Sequence, residues 1–415
     1  MAAGRGDLGS EHRAAGARPP FSLAHPGSIE ALQVVYKVAE RCNINCSYCY
    51  YFNMGEDSAL DRPARVAPEV TEALGRWLAQ GCVDLDIPRV KLSFHGGEPT
   101  MMGPRAFAAA CSALEASVGR AADLALSIQT NGLLVDEDWA AIFARHRVGV
   151  GVSIDGPAEV NDRFRLDRRG RSTHAATERA IRLLIDRYHD GAPWPSTISV
   201  VQPGPDYGEV YRYLRGLGVF EMSFLLADRS RDDHAFLASD GPRRFGEAMV
   251  AIFHAWLAED DRRVQVRFIE EALSHFVVGA PAARLVERPR KSNQILIARS
   301  DGTVTVDDTF TPALGWYRTA PVFDIRTTPL REVLAHPIFA EVDRLQQSLP
   351  TACGDCRWRA ACGGGDIENR FAADTGFDNP SVYCDAYRHF YQQVTETLVR
   401  NGYPRAVAEE KFRAA

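Results

Sequence analysis

From about residue 32 to residue 258 the chain alternates short β-branched runs with helical patterns, and this alternation limits its fold more than any other feature. The runs fall at 33–39, 90–95, 124–130, 148–154, 196–202 and 219–226. Helical patterns lie near 68–81, 104–119, 136–146, 174–188, 206–217 and 240–257. Pro104, Asp136 with Glu137, and Pro205 with Asp206 are helix-start signals. Alternation of this kind predicts a parallel sheet with right-handed crossovers. Six units are two short of a closed barrel. The expected fold is therefore α/β, a partial (β/α)6 TIM-like barrel, with a doubly wound sheet as the alternative.

The rest of the chain divides around that core. Residues 1–28 read as a flexible tail, 29–258 as the barrel, 259–292 as a helical bridge, 293–395 as a Cys- and Gly-rich domain, and 396–415 as a C-terminal helix and tail. The pattern over 293–307 predicts a hairpin, with Gln294-Ile295-Leu296-Ile297 and Thr303-Val304-Thr305-Val306 flanking a two-residue Asp301-Gly302 turn. Residues 385–413 read as helical. The 415 residues are 46% apolar and carry a net charge of −6, which argues against nucleic-acid or polybasic membrane contact. No apolar run reaches membrane-spanning length and no secretory h-region is visible, so a cytoplasmic protein is expected.

Nine cysteines are present, and seven fall in two tight groups. Such grouping favours metal over disulfides. Cys82 and Cys111 stand apart within helical patterns and are expected to pack in the core. The first group is Cys42-Asn43-Ile44-Asn45-Cys46-Ser47-Tyr48-Cys49. Three thiolates can hold three irons of a 4Fe–4S cluster and leave the fourth open to a small molecule. This loop follows the first expected strand. The next strands end in His95-Gly96-Gly97-Glu98-Pro99, Gln129-Thr130-Asn131-Gly132 and Ser153-Ile154-Asp155-Gly156. In parallel α/β folds such strand ends share one face, where active sites lie. Ordinary loop chemistry also puts polar residues there, but it does not explain three cysteines followed by Gly-Gly-Glu.

Cysteines spaced CxxxCxxC with Tyr48 before the last, followed by the Gly-Gly-Glu-Pro, Gln-Thr-Asn-Gly and Ser-Ile-Asp-Gly motifs, resemble the radical S-adenosylmethionine (SAM) superfamily over about 33–226. The resemblance implies that Cys42, Cys46 and Cys49 ligate the SAM-binding 4Fe–4S cluster. It implies that Gly96, Gly97 and Glu98 meet the methionine amino group and that Tyr48 lies by the adenine. Ser153 and Asp155 would lie near the ribose, Gln129 and Asn131 near the cofactor, and Arg165 could pair with the SAM carboxylate. Arg165 could instead be a surface charge, and His95 a packed residue at a strand end.

The second group, Cys353, Cys356, Cys362 and Cys384, could on spacing alone be a zinc site. It also resembles the C-terminal part of a SPASM domain, the auxiliary-cluster module of peptide-modifying radical SAM enzymes. A full module has seven cysteines. Here Asp307, Ala298 and Asp366 stand at positions where cysteines would be expected, so the resemblance implies one auxiliary 4Fe–4S cluster on the four cysteines retained. Asp308, with its neighbour Asp307, would be the candidate base, since related sulfatase-maturing enzymes carry a carboxylate there; a solvated hairpin residue is the plain alternative. Strand alternation would let only one of the two face the site. The local wording is most similar to Xye-type cyclophane-forming maturases. This implies a ribosomal precursor peptide as substrate, Cβ hydrogen abstraction, a carbon–carbon crosslink to an aromatic residue, and an electron donor such as flavodoxin or ferredoxin. Formylglycine formation in a sulfatase, thioether formation, hydroxylation and epimerisation are the alternative outcomes, and a non-catalytic zinc-bearing scaffold is the alternative of another class.

Overall fold

The computed structural model describes residue 29 and residues 31–187, 194–276 and 295–413. The expected tail over 1–28, the bridge over 277–292 and Gln294 lie outside the described residues.

The six runs form β1 (Leu32–Ala39), β2 (Arg89–Gly96), β3 (Asp123–Thr130), β4 (Gly149–Ser153), β5 (Ser196–Val201) and β6 (Glu221–Leu226). They pair in parallel, in sequence order. A doubly wound fold reverses its strand order among its βα units, and these six strands do not, so the partial barrel is the fold. A short seventh strand, β7 (Gln265–Val266), extends the β6 edge. The intervening helices are Pro68–Leu85, Pro104–Ser117, Glu137–Arg145, His174–Arg187, Tyr207–Gly216 and Gly241–Glu259. Two of the expected start signals act as caps: Asp136 accepts from the Trp139 amide at 3.2 Å and Asp206 from the Gly208 amide at 2.8 Å.

Strand alternation separates two faces. On β2, Val90, Leu92 and Phe94 are fully buried, whereas Ser93 and His95 are half-buried. The buried face packs on the helices: Tyr36 reaches Thr71 at 2.8 Å, and Phe107 meets Phe94, Trp139 and Phe143 with ring centroids 4.5, 5.2 and 5.7 Å apart. Cys82 and Cys111 are buried in this layer, as expected. The other face lines a lumen that remains partly open.

The hairpin joins the same sheet. β8 (Ile295–Ala298) pairs in parallel with β1, β9 (Thr303–Thr305) pairs antiparallel with β8, and β10 (Phe323–Asp324) pairs with β9. The expected two-residue Asp-Gly turn is replaced by a longer one. A turn over 299–302 closes through the Gly302 amide and the Arg299 carbonyl at 3.0 Å, with Gly302 at φ +87° behind it. Asp301 takes the second central position of that turn, where its carboxylate accepts from the Thr303 amide and hydroxyl at 2.9 and 2.6 Å.

The single C-terminal helix expected over 385–413 is two helices, Cys384–Arg400 and Arg405–Arg413, separated at Gly402 and Pro404 because proline cannot continue a helix. The first of them runs across residue 395, where a boundary was expected. It packs on Gly241–Glu259, with Phe253 and Phe390 rings 6.2 Å apart, while Tyr383 donates to the Ala227 carbonyl at 2.5 Å. The C-terminal module is thus docked on the barrel at both edges of the sheet. Among the described residues no helix is long and apolar enough to cross a membrane.

Phe107→Ala is expected to lower unfolding free energy by about 3–5 kcal/mol in a denaturant titration, because it empties an aromatic cluster that cannot collapse.

Candidate active site

The cysteine loop leaves β1 and is held from two sides. Ile44–Cys46 forms a small antiparallel sheet with Arg165–Asp167, which sets Cys46 opposite Arg165. Arg168 donates to the Cys42 carbonyl at 2.8 Å. Cys49 caps the short helix Tyr50–Asn53, and Asn53 returns a hydrogen bond to the Cys46 carbonyl at 2.7 Å. Cys42, Ile44 and Cys46 form one buried cluster, with Tyr48, Cys49, Phe52 and Leu133 packed on it. Burial pushes the Cys42 thiol up to about 12, helped by Glu98, and the Cys46 thiol up to about 11 against the pull of Arg165. Thiols in such a setting become thiolates by binding metal, not by titration.

Beneath the loop lies the end of β2. The Gly97 amide donates to the Ala39 carbonyl at 2.7 Å and the Glu98 amide to the Arg41 carbonyl at 2.9 Å. A Cβ on Gly97 would overlap the Arg41 carbonyl, so the glycine is what lets the two loops touch. The Glu98 carboxylate is buried and occupied: it accepts from the Thr100 amide and hydroxyl, the Thr130 hydroxyl and the Asn131 amide at 2.5–2.9 Å. Its side chain therefore braces two strand ends. Asn131 bonds Asn43 at 2.7 Å and lies 3.9 Å from the Cys42 sulfur. Gln129 bonds Ser153 at 2.8 Å on the lumen side.

Tyr48, Asp155 and Arg165 come together as a buried triad. The Tyr48 hydroxyl donates to Asp155 at 2.7 Å and accepts from Arg165 at 2.9 Å, and the Val200 amide donates to Asp155 at 3.0 Å. Arg165 is 7% exposed, which answers the surface-charge alternative. The Tyr48 hydroxyl and Asp155 are committed to one another, so they act first as a brace between the cysteine loop and β4.

Sequence reasoning missed Lys37. This fully buried ammonium lies 2.5 Å from Asp308, 3.2 Å from the Tyr50 hydroxyl, 3.4 Å from His95 Nδ1 and 4.4 Å from the centre of the Tyr51 ring. Its signal was a lone lysine within an apolar strand. Asp308 is not a solvated hairpin residue but 3% exposed. Asp307 and Asp308 are not strand neighbours either. The strand ends at Thr305, and Asp307 caps a 3-10 turn over Asp308–Ala313 by accepting from the Thr309 amide at 3.0 Å. That turn points Asp308 inward. Burial opposes its charge, yet Lys37 and then Arg299 hold its carboxyl below the usual range. Burial, with Lys37, pushes His95 down to about 3, so its ring stays neutral. Arg299, also missed, bonds Tyr51 at 3.0 Å and Tyr317 at 2.8 Å, and Tyr51 in turn donates to buried Glu40.

The second cysteine group borders a small pocket shared with Trp358, Tyr387 and Arg388. Among the described residues no three Cys, His, Asp or Glu side chains converge on a single-ion site, at this group or at the cysteine loop.

Residues 36–215 match the radical SAM superfamily. The chain carries a radical SAM domain. It is a radical SAM enzyme, and its cofactors are S-adenosylmethionine and iron–sulfur clusters of the 4Fe–4S type. The chain is similar to the serine-type anaerobic sulfatase-maturating enzyme of Bacteroides thetaiotaomicron, with 25% identity over 87% of this chain and 88% of that protein. It is similar to the cysteine-type anaerobic sulfatase-maturating enzyme of Clostridium perfringens, with 22% identity over 92% and 98%. Among solved structures, native anSMEcpe with bound AdoMet and Cp18Cys peptide superposes with a TM-score of 0.74 and 22% identity, over 89% of this chain and 98% of that one. Streptococcus suis SuiB bound to precursor peptide SuiA gives a TM-score of 0.55 and 13% identity, over 86% and 76%. These likenesses show a shared fold that includes the C-terminal module.

For this radical SAM enzyme the junction of the cysteine loop and Gly97 is a sensitive point. Gly97→Ala is expected to cost about 1–3 kcal/mol of stability, read by denaturant unfolding, because backbone rather than a flexible side chain must yield.

Proposed function

We propose that this radical SAM enzyme oxidises the Cβ position of a side chain in a peptide or protein, removing two hydrogens overall, with Asp308 taking the proton. Cys42, Cys46 and Cys49 are the ligands proposed for the SAM-binding cluster. When bound, that cluster and SAM would supply the one-electron chemistry needed to remove a hydrogen atom from carbon. The carbon then has one electron and one proton left to lose. Cys353, Cys356, Cys362 and Cys384 are the ligands proposed for an auxiliary 4Fe–4S cluster, which supplies a one-electron acceptor with no open iron. The observation that carries the reading is Asp308, a buried carboxylate kept in its charged form beside the strand ends that bear the cysteine loop. A general base must be deprotonated and close to the proton it removes.

Formylglycine formation from Ser or Cys in a sulfatase is the outcome we place first, supported by relatives of that description along most of the chain. A second outcome, cyclophane crosslinking in a ribosomal precursor peptide, has its own support. Asp307 and Asp366 stand where the seven-cysteine module would carry ligands, and Asp307 serves instead as a helix cap. Both outcomes begin at Cβ and end with the same loss of an electron and a proton. They differ in whether the substrate's own heteroatom or an aromatic ring captures the oxidised carbon. A flavodoxin or ferredoxin is proposed to deliver the electron that starts each turnover.

Incubation of the reconstituted enzyme with SAM, reductant and either a Ser-containing sulfatase peptide or a precursor peptide encoded beside this chain separates the outcomes. Loss of two hydrogens with capture by a hydrazide is expected for formylglycine. The same loss without capture, and with resistance to fragmentation between two residues, identifies the crosslink. An unchanged mass for both peptides would refute Cβ oxidation. Separately, replacing all four cysteines of the second group with Ala is expected to lower iron from about eight to about four per chain.

A further inference from the structure

We propose that Lys37 is the positioning residue for Asp308, clamping the carboxylate of the C-terminal module to the barrel mouth in one orientation. This inference rests on the reading of Asp308 as the proton acceptor.

An ammonium has three N–H donors. Lys37 meets three separate segments: it is in ion-pair contact with Asp308 after the hairpin at 2.5 Å, donates to the Tyr50 hydroxyl beside the cysteine loop at 3.2 Å, and lies 3.4 Å from His95 Nδ1 at the end of β2. The Tyr51 ring closes one side of the ammonium at 4.4 Å, and the lysine has no exposed surface. With Nδ1 accepting, His95 carries its proton on Nε2. Lys37 thus acts on its neighbours rather than on a ligand.

The other charges near Asp308 do not duplicate this contact. Arg299 is the second cation, but it donates to Tyr51 and Tyr317, with Glu40 behind Tyr51. Asp307 turns to the Thr309 amide. The charges of Asp228 and Asp307 act on Tyr50, and Glu368 belongs to the Ile367–Arg370 turn that packs against Asp308–Ala313. Among the described residues Lys37 is the cation in ion-pair contact with Asp308. Its removal leaves a buried carboxylate that takes up a proton more readily. The sign follows: the base form appears only at higher pH, so the acid limb of a product-formation profile moves upward.

The test uses the reconstituted full chain. Infrared difference spectra between wild type and Asp308→Asn are expected to show an ionised carboxylate at neutral pH. Lys37→Met is expected to gain a protonated-carboxyl band that disappears in Lys37→Met/Asp308→Asn. Product formed per 5′-deoxyadenosine is expected to fall at least about tenfold at neutral pH and to recover as pH rises, with partial rescue by Lys37→Arg. A protonated Asp308 in wild type overturns the proposal. So does a Lys37→Met protein that lacks the new band, or one whose acid limb stays in place. Should wild type modify neither peptide, the Cβ-oxidation reading fails, while the infrared spectra still decide the role of Lys37. Should Lys37→Met not fold, the wild-type and Asp308→Asn spectra decide it.

Discussion

β1 is hydrogen-bonded on both edges, and the rest of the site depends on that double pairing. One edge takes β2, whose end brings Gly96 and Gly97 under the cysteine loop. The other takes β8, in a register from Gln33 opposite Ile295 to Tyr36 opposite Ala298. The hairpin, its 3-10 turn and Asp308 are therefore fixed to the barrel by a backbone ladder rather than by a linker. β1 itself runs on into the cysteines. The proposed cluster ligands and the proposed proton acceptor thus share one strand as their reference.

This arrangement has an energetic cost that the surroundings offset. A buried ammonium and carboxylate each lose hydration, and their attraction compensates only when the remaining donors and lone pairs are satisfied. Beside Asp308, Lys37 has Tyr50 and His95 within reach, and Arg299 bonds Tyr51 and Tyr317. Glu98 meets that condition with four donors from neighbouring strand ends. The strand ends are consequently tied by charge-assisted hydrogen bonds rather than by apolar packing.

Much of this was legible in the sequence because it is local. The six strand runs, the cysteine spacing and the Asp136 and Asp206 caps depend on neighbours a few residues away, and each falls where the pattern puts it. What was not legible depends on distant partners. Nothing near Lys37 announces Asp308, and nothing near Cys46 announces the small sheet with Arg165–Asp167. The parallel pairing of β8 with β1 was hidden for the same reason, since a hairpin pattern describes only its own two strands. The Asp301-Gly302 signal misled because the turn over 299–302 is longer than the dipeptide alone implies, with the Asp301 carboxylate bonded to Thr303. Glu98 and Asp155 were legible as important residues, but their use as braces appears only when their partners are known.

The central claim is that the cysteine loop holds the cluster that meets SAM, while the second group holds a closed one. Electron paramagnetic resonance of the reduced, reconstituted enzyme, recorded with and without SAM, tests it most directly. A variant with Cys353, Cys356, Cys362 and Cys384 all changed to Ala should keep a 4Fe–4S signal that shifts when SAM is added. A variant with Cys42, Cys46 and Cys49 changed to Ala should keep a signal that does not shift. A SAM-dependent shift in the second variant, or its absence from the first while the cluster persists, would contradict the account.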